Sequence, residues 1–201
     1  MKIAIIDYGM GNLRSVQKAF EKINIDSVIT SNIQEIQNAD KIVLPGVGAF
    51  KDAMKNLNAL GLIDILHQEV IVNKKHFLGI CLGMQLLGET SEEFGETKGL
   101  GWVTAEVLKF PSTTLKIPHV GWNNVHYPID SKLFKDVPNN IDFYFVHSYY
   151  FQEQEVCITS SCEYILNFTC AIEKDNIFAV QFHPEKSQTY GLKLLKNFAT
   201  L

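Results

Sequence analysis

The chain has 201 residues, of which 46% are hydrophobic, and carries a formal net charge of −4. This length and composition indicate one folded domain over residues 1–201 rather than a disordered chain, because they suffice for a sizeable core. The acidic balance, with a sequence pI near 5.9, argues against nucleic acid or an anionic membrane as a partner, since both attract a basic face.

The N-terminal apolar run at residues 3–6 is too short for the hydrophobic core of a signal peptide and ends at Asp7. A cytoplasmic protein is therefore expected. The cysteines lack the paired spacing that binds metals, and a chain of this size needs no disulfides. They are Cys81, Cys157, Cys162 and Cys170. We predict no metal, no cofactor and no disulfide.

The first part of the chain alternates buried strands with helices. Strands are predicted at residues 2–7, 26–30 and 41–44, and Asn12 can cap a helix that begins at Leu13. A short helix is expected between the second and third strands. This alternation favours a parallel sheet with right-handed crossovers.

Two glycine-containing turns follow strands in this region. The first, residues 9–11 (GMG), lacks the third glycine and the acidic residue of a dinucleotide-binding motif, which excludes a Rossmann cofactor site. The second, residues 45–48 (PGVG), lies at the carboxyl edge of the predicted sheet, where open α/β sheets place their ligands. Its composition also fits an ordinary turn, so the residues alone leave its role open.

The most informative run is residues 75–87 (KHFLGICLGMQLL). It combines a strand, a turn centred on Cys81 and the start of a helix at Leu82, which is the pattern of a nucleophile elbow. Gly79 and Gly83 keep this tight turn free of side chains. The helix start favours the thiolate, and the N–H of Leu82 is placed to receive an oxyanion. A free cysteine can also be a small buried residue, so this turn alone does not establish a nucleophile.

The second half of the chain is richer in strands. A helical stretch at residues 57–72 and a loop at residues 92–101 flank the elbow. Short strands are then predicted at residues 102–110, 115–125, 142–151, 156–160 and 168–173. A last strand at residues 177–182 leads into His183, and a helix at residues 188–199 follows. The predicted fold class is α/β, with a mixed, mostly parallel central sheet flanked by helices.

The tripeptide after the last strand supplies a possible base and acid for the cysteine. A cysteine nucleophile needs a histidine base, and the base needs an acid to orient it. Pro184 fixes its own φ, and the spacing lets Glu185 turn back towards His183. The sequence therefore predicts a triad of Cys81, His183 and Glu185.

These two motifs together resemble those of the class I, triad-type glutamine amidotransferases. Within this class the chain is most similar to the glutaminase subunits of imidazole glycerol phosphate synthase. The resemblance extends over essentially the whole chain. Further motifs that carry it are residues 7–12 (DYGMGN), 44–50 (LPGVGAF), 118–123 (PHVGWN) and 143–149 (FYFVHSY).

The resemblance implies a mechanism and a set of site residues. Cys81 would attack the side-chain amide of L-glutamine, and His183, oriented by Glu185, would protonate the departing ammonia and then activate water. The residues implied to form the oxyanion hole are Leu82, Val47 and Gly48. Those implied to bind glutamine are Gln85, Gly48, His147, Ser148 and Tyr149. From the residues alone, Gln85 could equally lie on a helix surface.

The resemblance also implies a partner, because ammonia released into water becomes ammonium and is lost as a nucleophile. In the family this partner is a (β/α)₈ cyclase, and the joint reaction of histidine biosynthesis makes imidazole glycerol phosphate and an aminoimidazole carboxamide ribotide. Only sixteen residues follow Glu185, so we expect the acceptor domain on a separate chain. Positions implied to line the interface or its gate are Asn12, Trp122, Asn123, Tyr144 and Lys186. Trp122 and Tyr144 could instead be ordinary core aromatics.

Three alternatives stay open at this point. A related glutaminase could supply ammonia to a partner that amidates a surface-glycan sugar, with the same triad. A stand-alone cysteine hydrolase or peptidase would turn over without a partner. A catalytically inactive binding subunit would not depend on Cys81. The histidines to which the sequence assigns no chemistry are His67, His76, His119 and His126.

Overall fold

The structure, a computed structural model, describes residues 1–155 and 157–201. The strands are β1 (Lys2–Ile6), β2 (Asp26–Thr30), β3 (Lys41–Gly46), β4 (His76–Cys81), β5 (Thr90–Ser91), β6 (Thr97–Lys98), β7 (Ala105–Lys109), β8 (His119–Val125), β9 (Ile141–His147), β10 (Tyr149–Glu153), β11 (Ile158–Glu163), β12 (Asn167–Lys174) and β13 (Ile177–Val180). The helices are α1 (Leu13–Lys22), α2 (Ile33–Asn38), α3 (Phe50–Ala59), α4 (Leu62–His67), α5 (Leu82–Gln85) and α6 (Gln188–Thr200). A π-helical turn, Gln68–Val72, continues α4, and a 3₁₀ turn spans Pro184–Lys186.

The main sheet has the order β2-β1-β3-β4-β13-β12-β10-β7-β5-β6, with β11 paired to β12. Strands β2, β1, β3, β4 and β13 are parallel to one another, whereas β12, β10 and most of the strands beyond them pair antiparallel. The inner parallel strands β1, β3, β4 and β13 are mostly apolar because helices cover both of their faces, whereas the edge strand β2 (DSVIT) is more polar. This mixed, mostly parallel sheet flanked by helices confirms the predicted fold class.

The side chains of β1 show how the two faces are filled. Ile3 and Ile5 pack in the same cluster as residues of α1 and α6, whereas Ala4 and Ile6 pack in the cluster that contains residues of α3 and α4. Successive side chains of a strand point to opposite faces, so one apolar strand contributes to both layers. The core therefore consists of two layers separated by the sheet.

The pairing of β4 with β13 brings distant parts of the sequence together. The two strands are adjacent and parallel, with Ile80 opposite Val180. Both strands therefore end at the same edge of the sheet, where Cys81 closes β4 and His183 follows β13. This register places the predicted nucleophile and the predicted base next to each other, although about a hundred residues separate them.

The strand predicted at residues 142–151 is two strands in two different sheets. β9 pairs with β8 in a separate antiparallel hairpin, whereas β10 joins the main sheet between β12 and β7. The chain changes sheets at Ser148, which neither strand includes. The prediction of one strand was therefore wrong. It arose because Ser148 is the one residue in this stretch that favours a turn, and the alternating pattern continues on both sides of it.

Other boundaries also differ from the predictions. The helical stretch predicted at residues 57–72 begins earlier, at Phe50, whose N–H donates to the distant carboxylate of Glu93 (2.7 Å). It is interrupted at Gly61, which adopts a left-handed φ of 65°. The predicted loop at residues 92–101 contains the short strand β6.

The strand predicted at residues 156–160 begins at Val156, which lies outside the described residues. The strand in this region, β11, begins at Ile158 and extends to Glu163, beyond the predicted end. Of the helices within the described part of the chain, none has the length and apolar character needed to cross a membrane.

Candidate active site

Cys81 occupies a strained turn between β4 and α5. Its φ and ψ are 54° and −108°, a combination that L-residues rarely adopt. A Cβ atom at Gly83 would overlap the carbonyl oxygen of Leu44, and one at Gly79 would lie 2.7 Å from the carbonyl oxygen of Gly83. The turn can therefore pack against β3 only because these two positions lack side chains. This is the geometry of a nucleophile elbow.

His183 lies between Cys81 and Glu185. Its ring lines the same cavity as the Cys81 thiol, and its Nδ1 donates to Oε1 of Glu185 at 2.9 Å. Both the His183 and Glu185 side chains are almost fully buried, with 4% and 2% exposed. Burial lowers the pKa of His183, but the hydrogen bonds and negative charges of Cys81 and Glu185 outweigh it and raise the pKa to about 10. The raised pKa favours the protonated, imidazolium form of His183 at neutral pH.

A serine that the sequence analysis missed anchors the turn that carries the triad. Ser187 Oγ donates to the carbonyl oxygen of His183 (2.6 Å) and accepts from the N–H of Tyr144 (3.0 Å). The N–H of His183 in turn donates to the carbonyl oxygen of Tyr144 (2.8 Å). These hydrogen bonds hold the backbone of His183 next to β9 and so fix the position from which its ring extends.

A second missed residue, Gln181, touches the thiol directly. Its side-chain Nε2 lies 3.6 Å from Cys81 Sγ, and its Oε1 accepts from Nε2 of Gln85 at 2.9 Å. Gln85 also donates to the carbonyl oxygen of Tyr149 (3.1 Å) and is buried, so it does not lie on a helix surface. The signal that could have found Gln181 is a polar amide at the end of an otherwise apolar strand.

The helix after Cys81 is shorter than the elbow pattern suggests. α5 comprises only Leu82–Gln85, four residues, so few aligned peptide dipoles act on the sulfur. Gln181 contacts the thiol directly, and His183 lines the same cavity, so these two side chains are the main groups available to stabilise an anionic sulfur.

A cavity of about 350 Å³ opens beside the triad. Its lining contains every predicted oxyanion and glutamine-binding position, together with the thiol and the imidazole. These residues are Val47, Gly48, Cys81, Leu82, Gln85, His147, Ser148, Tyr149 and His183. Glu93, Val146 and Lys186 complete the lining. The size is at the lower end of that of small-molecule sites, which suits an amino acid.

The loop on one side of the cavity rests on a buried tyrosine. Val47 is exposed, Gly48 has a φ of 108°, and a Cβ atom at Gly46 would overlap the Tyr8 hydroxyl. This hydroxyl is buried and has no hydrogen-bond partner among the described atoms. Burial, together with the negative charge of Cys81, raises the pKa of Tyr8, so the phenol stays protonated.

The predicted interface residues lie on the β8–β9 hairpin, in the turn after β13 and before α1. Trp122 is 47% exposed and contacts Tyr144 edge to face at 5.9 Å, and Lys186 Nζ lies 5.7 Å from the centre of the Tyr144 ring. Asn12 is exposed before α1. Asn123 differs from the others, because its side chain donates to the carbonyl oxygen of Glu163 on the inner face of β8.

A larger cleft, of about 800 Å³, lies away from the triad, and Tyr127, Lys132 and Asn197 are among its lining residues. Neither a cysteine nor a histidine is among its lining residues. Within the ranges that the structure describes, no cluster of three or more His, Cys, Asp or Glu could hold a metal ion.

The fold and the triad define a cysteine-dependent amidotransferase, and the comparisons with known proteins agree. Residues 4–200 match the family model described as Glutamine amidotransferase class-I, and the chain belongs to this family. A glutamine amidotransferase from Thermotoga maritima superimposes with a TM-score of 0.67 at 16% identity, covering 100% of this chain and 83% of that one. The structure of PurLQS from the same organism gives 0.72 at 15% identity, covering 99% and 97%. At these identities the likeness shows the fold alone.

Curated relatives are much closer in sequence. Imidazole glycerol phosphate synthase subunit HisH 1 of Campylobacter jejuni is 52% identical over 99% of this chain and 100% of its own length. Subunit HisH 2 of Methanococcus maripaludis is 52% identical over 98% of both chains, and HisH of Geobacter sulfurreducens is 49% identical over 100% and 99%. Within its class the chain therefore falls among the HisH subunits, which confirms the resemblance noted in the sequence.

Proposed function

We propose that the chain, as one glutaminase domain over residues 1–201, hydrolyses L-glutamine and delivers the ammonia to a separate (β/α)₈ cyclase in histidine biosynthesis. The observation that carries the activity is that Cys81 and His183 line one cavity while Nδ1 of His183 donates to Glu185 behind it. The printed names of the relatives support the assignment to imidazole glycerol phosphate synthase. A cytoplasmic location is part of this proposal.

The first half of the reaction forms a thioester. The Cys81 thiolate attacks the side-chain amide carbon of glutamine, and the carbonyl electron pair moves to oxygen, which the backbone N–H groups at Leu82 and the Val47–Gly48 loop receive. The tetrahedral intermediate collapses, the C–N bond breaks, and His183 gives its proton to the departing nitrogen. Ammonia leaves, and a γ-glutamyl thioester remains on Cys81.

The second half regenerates the thiolate. His183, now neutral, removes a proton from water, and the resulting hydroxide attacks the thioester carbonyl. Glutamate leaves, the C–S bond breaks, and the thiolate is again paired with an imidazolium. Glu185 accepts from Nδ1 of His183 and so keeps Nε2 directed at the sulfur in both halves.

The cavity also offers groups for the amino-acid end of glutamine. The Glu93 carboxylate lines the cavity, and we assign it to the α-ammonium group, because opposite charges attract strongly in a partly enclosed site. The backbone of Ser148 and Tyr149, exposed to the cavity by the break between β9 and β10, forms the opposite wall.

The test separates ammonia production from ammonia use. In a complex with the cyclase subunit, Cys81→Ala should abolish glutamine-dependent product formation, because no other cysteine lines the cavity. Product formation supported by ammonium salts should continue at the wild-type rate. Cys162→Ala is the matched control, since Cys162 is also a buried free thiol but lies outside the cavity, and it should keep both activities. Equal loss of both activities in Cys81→Ala would contradict the proposal.

The same preparation decides between the alternatives. Product formation with the nucleotide acceptor of histidine biosynthesis, and none with a surface-glycan sugar, is expected. Brisk hydrolysis of peptides by the chain alone, with glutamine no better, would instead identify a stand-alone hydrolase. Unchanged glutamine-dependent activity in Cys81→Ala would identify an inactive binding subunit.

A further inference from the structure

A series of hydrogen bonds at the β8–β9 hairpin uses two buried histidines that take no part in the proton transfers: His147, which lines the cavity, and His119, which does not. Asn123 Nδ2 lies 3.3 Å from Nε2 of His119, and Nδ1 of His119 lies 3.0 Å from Nε2 of His147. Nδ1 of His147 lies 2.8 Å from the carbonyl oxygen of Tyr149. The series begins at a half-buried amide and ends at the backbone of the cavity wall.

The groups at the two ends of this series determine which atom donates and which accepts in each hydrogen bond. The carbonyl oxygen of Tyr149 can only accept, so Nδ1 of His147 carries a proton, and in a neutral ring Nε2 is then an acceptor. Nδ1 of His119 must therefore donate to it, which leaves Nε2 of His119 to accept from Asn123. The amide nitrogen of Asn123 is in turn identified as the donor, because it also donates to the carbonyl oxygen of Glu163 (2.9 Å).

Both rings are neutral because their surroundings are apolar. Burial lowers the pKa of His119 to about 4 and that of His147 to about 3. The His119 ring stacks on Tyr164 at 4.0 Å and on Phe145 at 4.9 Å, and the ring of Phe110 lies 5.2 Å from that of His147. Charging either ring in this aromatic box would place two donors face to face.

The acceptor at the end of the series is shared with the active site. The carbonyl oxygen of Tyr149 accepts from Gln85 as well as from His147, and the same Gln85 amide group donates to Gln181, whose Nε2 contacts Cys81 Sγ. Fixing this carbonyl therefore fixes the orientation of two side-chain amides in succession. It also fixes the peptide at the break between β9 and β10.

We propose that His119, acting through His147, is a positioning residue that holds the Ser148–Tyr149 wall and the Gln85 amide in the orientation that binds glutamine. This inference rests on the proposed function and deepens it. His119 does not line the cavity, so its effect on glutamine can only be transmitted through its neighbours. Because the wall forms part of the binding site, loss of the series acts on KM more than on kcat.

Two substitutions at His119 separate the hydrogen bond from the packing. His119→Phe keeps the stacked ring between Tyr164 and Phe145 but removes both nitrogens. His119→Asn loses the ring but can place an amide N–H near the position of Nδ1, where it can still donate to His147. A packing role predicts that the phenylalanine variant is the milder one, whereas a positioning role predicts the reverse.

Steady-state glutamine hydrolysis in the complex with the cyclase subunit measures the effect. We expect His119→Phe to raise KM for glutamine about tenfold, the value of one buried hydrogen bond, with kcat within about twofold of wild type. His119→Asn should recover most of that loss in KM even though it lowers the thermal midpoint. His126→Gln, at an exposed histidine, is the control and should leave both constants unchanged. A wild-type KM in His119→Phe, or a larger KM in His119→Asn than in His119→Phe, would overturn the proposal.

A measurement that needs no activity tests the series itself. The ¹⁵N shifts of the histidine rings at neutral pH should show both His119 and His147 protonated at Nδ1 and bare at Nε2. A proton on Nε2 of His147 would overturn the inference even if the chain is a glutaminase. Should the chain fail to hydrolyse glutamine at all, the rings would still report whether the series exists, so the two failures are distinguishable.

Discussion

At the scale of single residues, the site depends on one strained backbone position and one coupled pair of ionisable groups. The left-handed φ of Cys81 costs about 1–2 kcal/mol relative to an ordinary conformation. The cost is offset because β4 is paired on both sides, with β3 and β13, and cannot relax. The strained turn places the thiol at the wall of the cavity that His183 also lines.

The first prediction concerns the charge of His183. Replacing Glu185 with Gln removes the negative charge and weakens the hydrogen bond to Nδ1, so the pKa of His183 should fall from about 10 by about one unit or more. The titration of the ring protons, followed by NMR, measures this directly. An unchanged midpoint would mean that Cys81 alone holds the imidazolium.

The same pair gives a stability prediction whose sign follows from linkage. A folded-state pKa of about 10 exceeds the ordinary value of 6.5, so His183 contributes stability that is complete below pH 6.5 and is lost as the pH rises towards 10. The slopes should separate in the upper part of this range: above the lowered pKa of His183 in Glu185→Gln, the free energy of unfolding of the variant levels off, while that of the wild type continues to fall up to about pH 10. Denaturant unfolding at intervals across this window gives both slopes, and parallel slopes would contradict the prediction.

The third prediction concerns the contact between Tyr8 and Gly46. Tyr8→Phe removes a buried hydroxyl without a partner, so it should leave stability unchanged or raise it slightly. Gly46→Ala should be strongly destabilising in the wild type, because the new Cβ would overlap that hydroxyl, and much less so in Tyr8→Phe. A double-mutant cycle of thermal or denaturant unfolding measures the coupling, and strictly additive effects would contradict it.

At the scale of secondary-structure elements, the site forms where strands end or change sheets. β3, β4 and β13 all end at one edge, which supplies the loop at Val47, the thiol and the imidazole. The break at Ser148 supplies the fourth wall. The cavity is therefore formed by residues at the ends of strands and in the loops that follow them, and not by the faces of the sheet.

The fourth prediction tests the close packing of α5 on β3. Gly83→Ala should destabilise the fold by about 3 kcal/mol, because its Cβ would overlap the Leu44 carbonyl oxygen in a rigid, paired strand. Gly61→Ala is the control: nothing lies near its Cβ, and only its left-handed φ is unfavourable, at about 1 kcal/mol. Denaturant unfolding of both variants measures the difference, and equal losses would show that the turn can shift to make room.

How much of this could be predicted from the sequence depends on whether the signal is local. The elbow around Cys81 and the turn at His183 are local patterns, so their residues were identified and their elements placed within a few positions. Ser148 marks a change of sheet that depends on which strands pair. The local alternation of polar and apolar residues does not specify that pairing. Gln181 and His119 act through contacts with residues far away in the sequence, so their partners became visible only in the fold.

At the scale of the whole molecule, one face combines exposed apolar side chains with the mouth of the cavity. On β8, Val120 is 55% and Trp122 is 47% exposed, and both lie opposite residues of β9. Their neighbours across the hairpin are Val146, which lines the cavity, and Tyr144, which lies next to Lys186. An apolar surface beside the cavity suits the docked partner proposed above, because contact there would exclude water.

The fifth prediction tests whether this face is the docking surface. Trp122→Ala should weaken binding to the proposed cyclase partner by at least about tenfold, since exposed tryptophans that become buried on docking often dominate binding energy. Ile129→Ala is the matched control, because Ile129 is an even more exposed apolar residue that lines the distant cleft. Calorimetry of the two purified proteins measures the affinities, and the rate of Cys81 alkylation by iodoacetamide in the free chain checks that the thiol is undisturbed.

Equal affinities for Trp122→Ala and wild type would place the docking surface elsewhere. A change in alkylation rate would instead show that the tryptophan acts on the thiol through Tyr144 and the turn that holds His183.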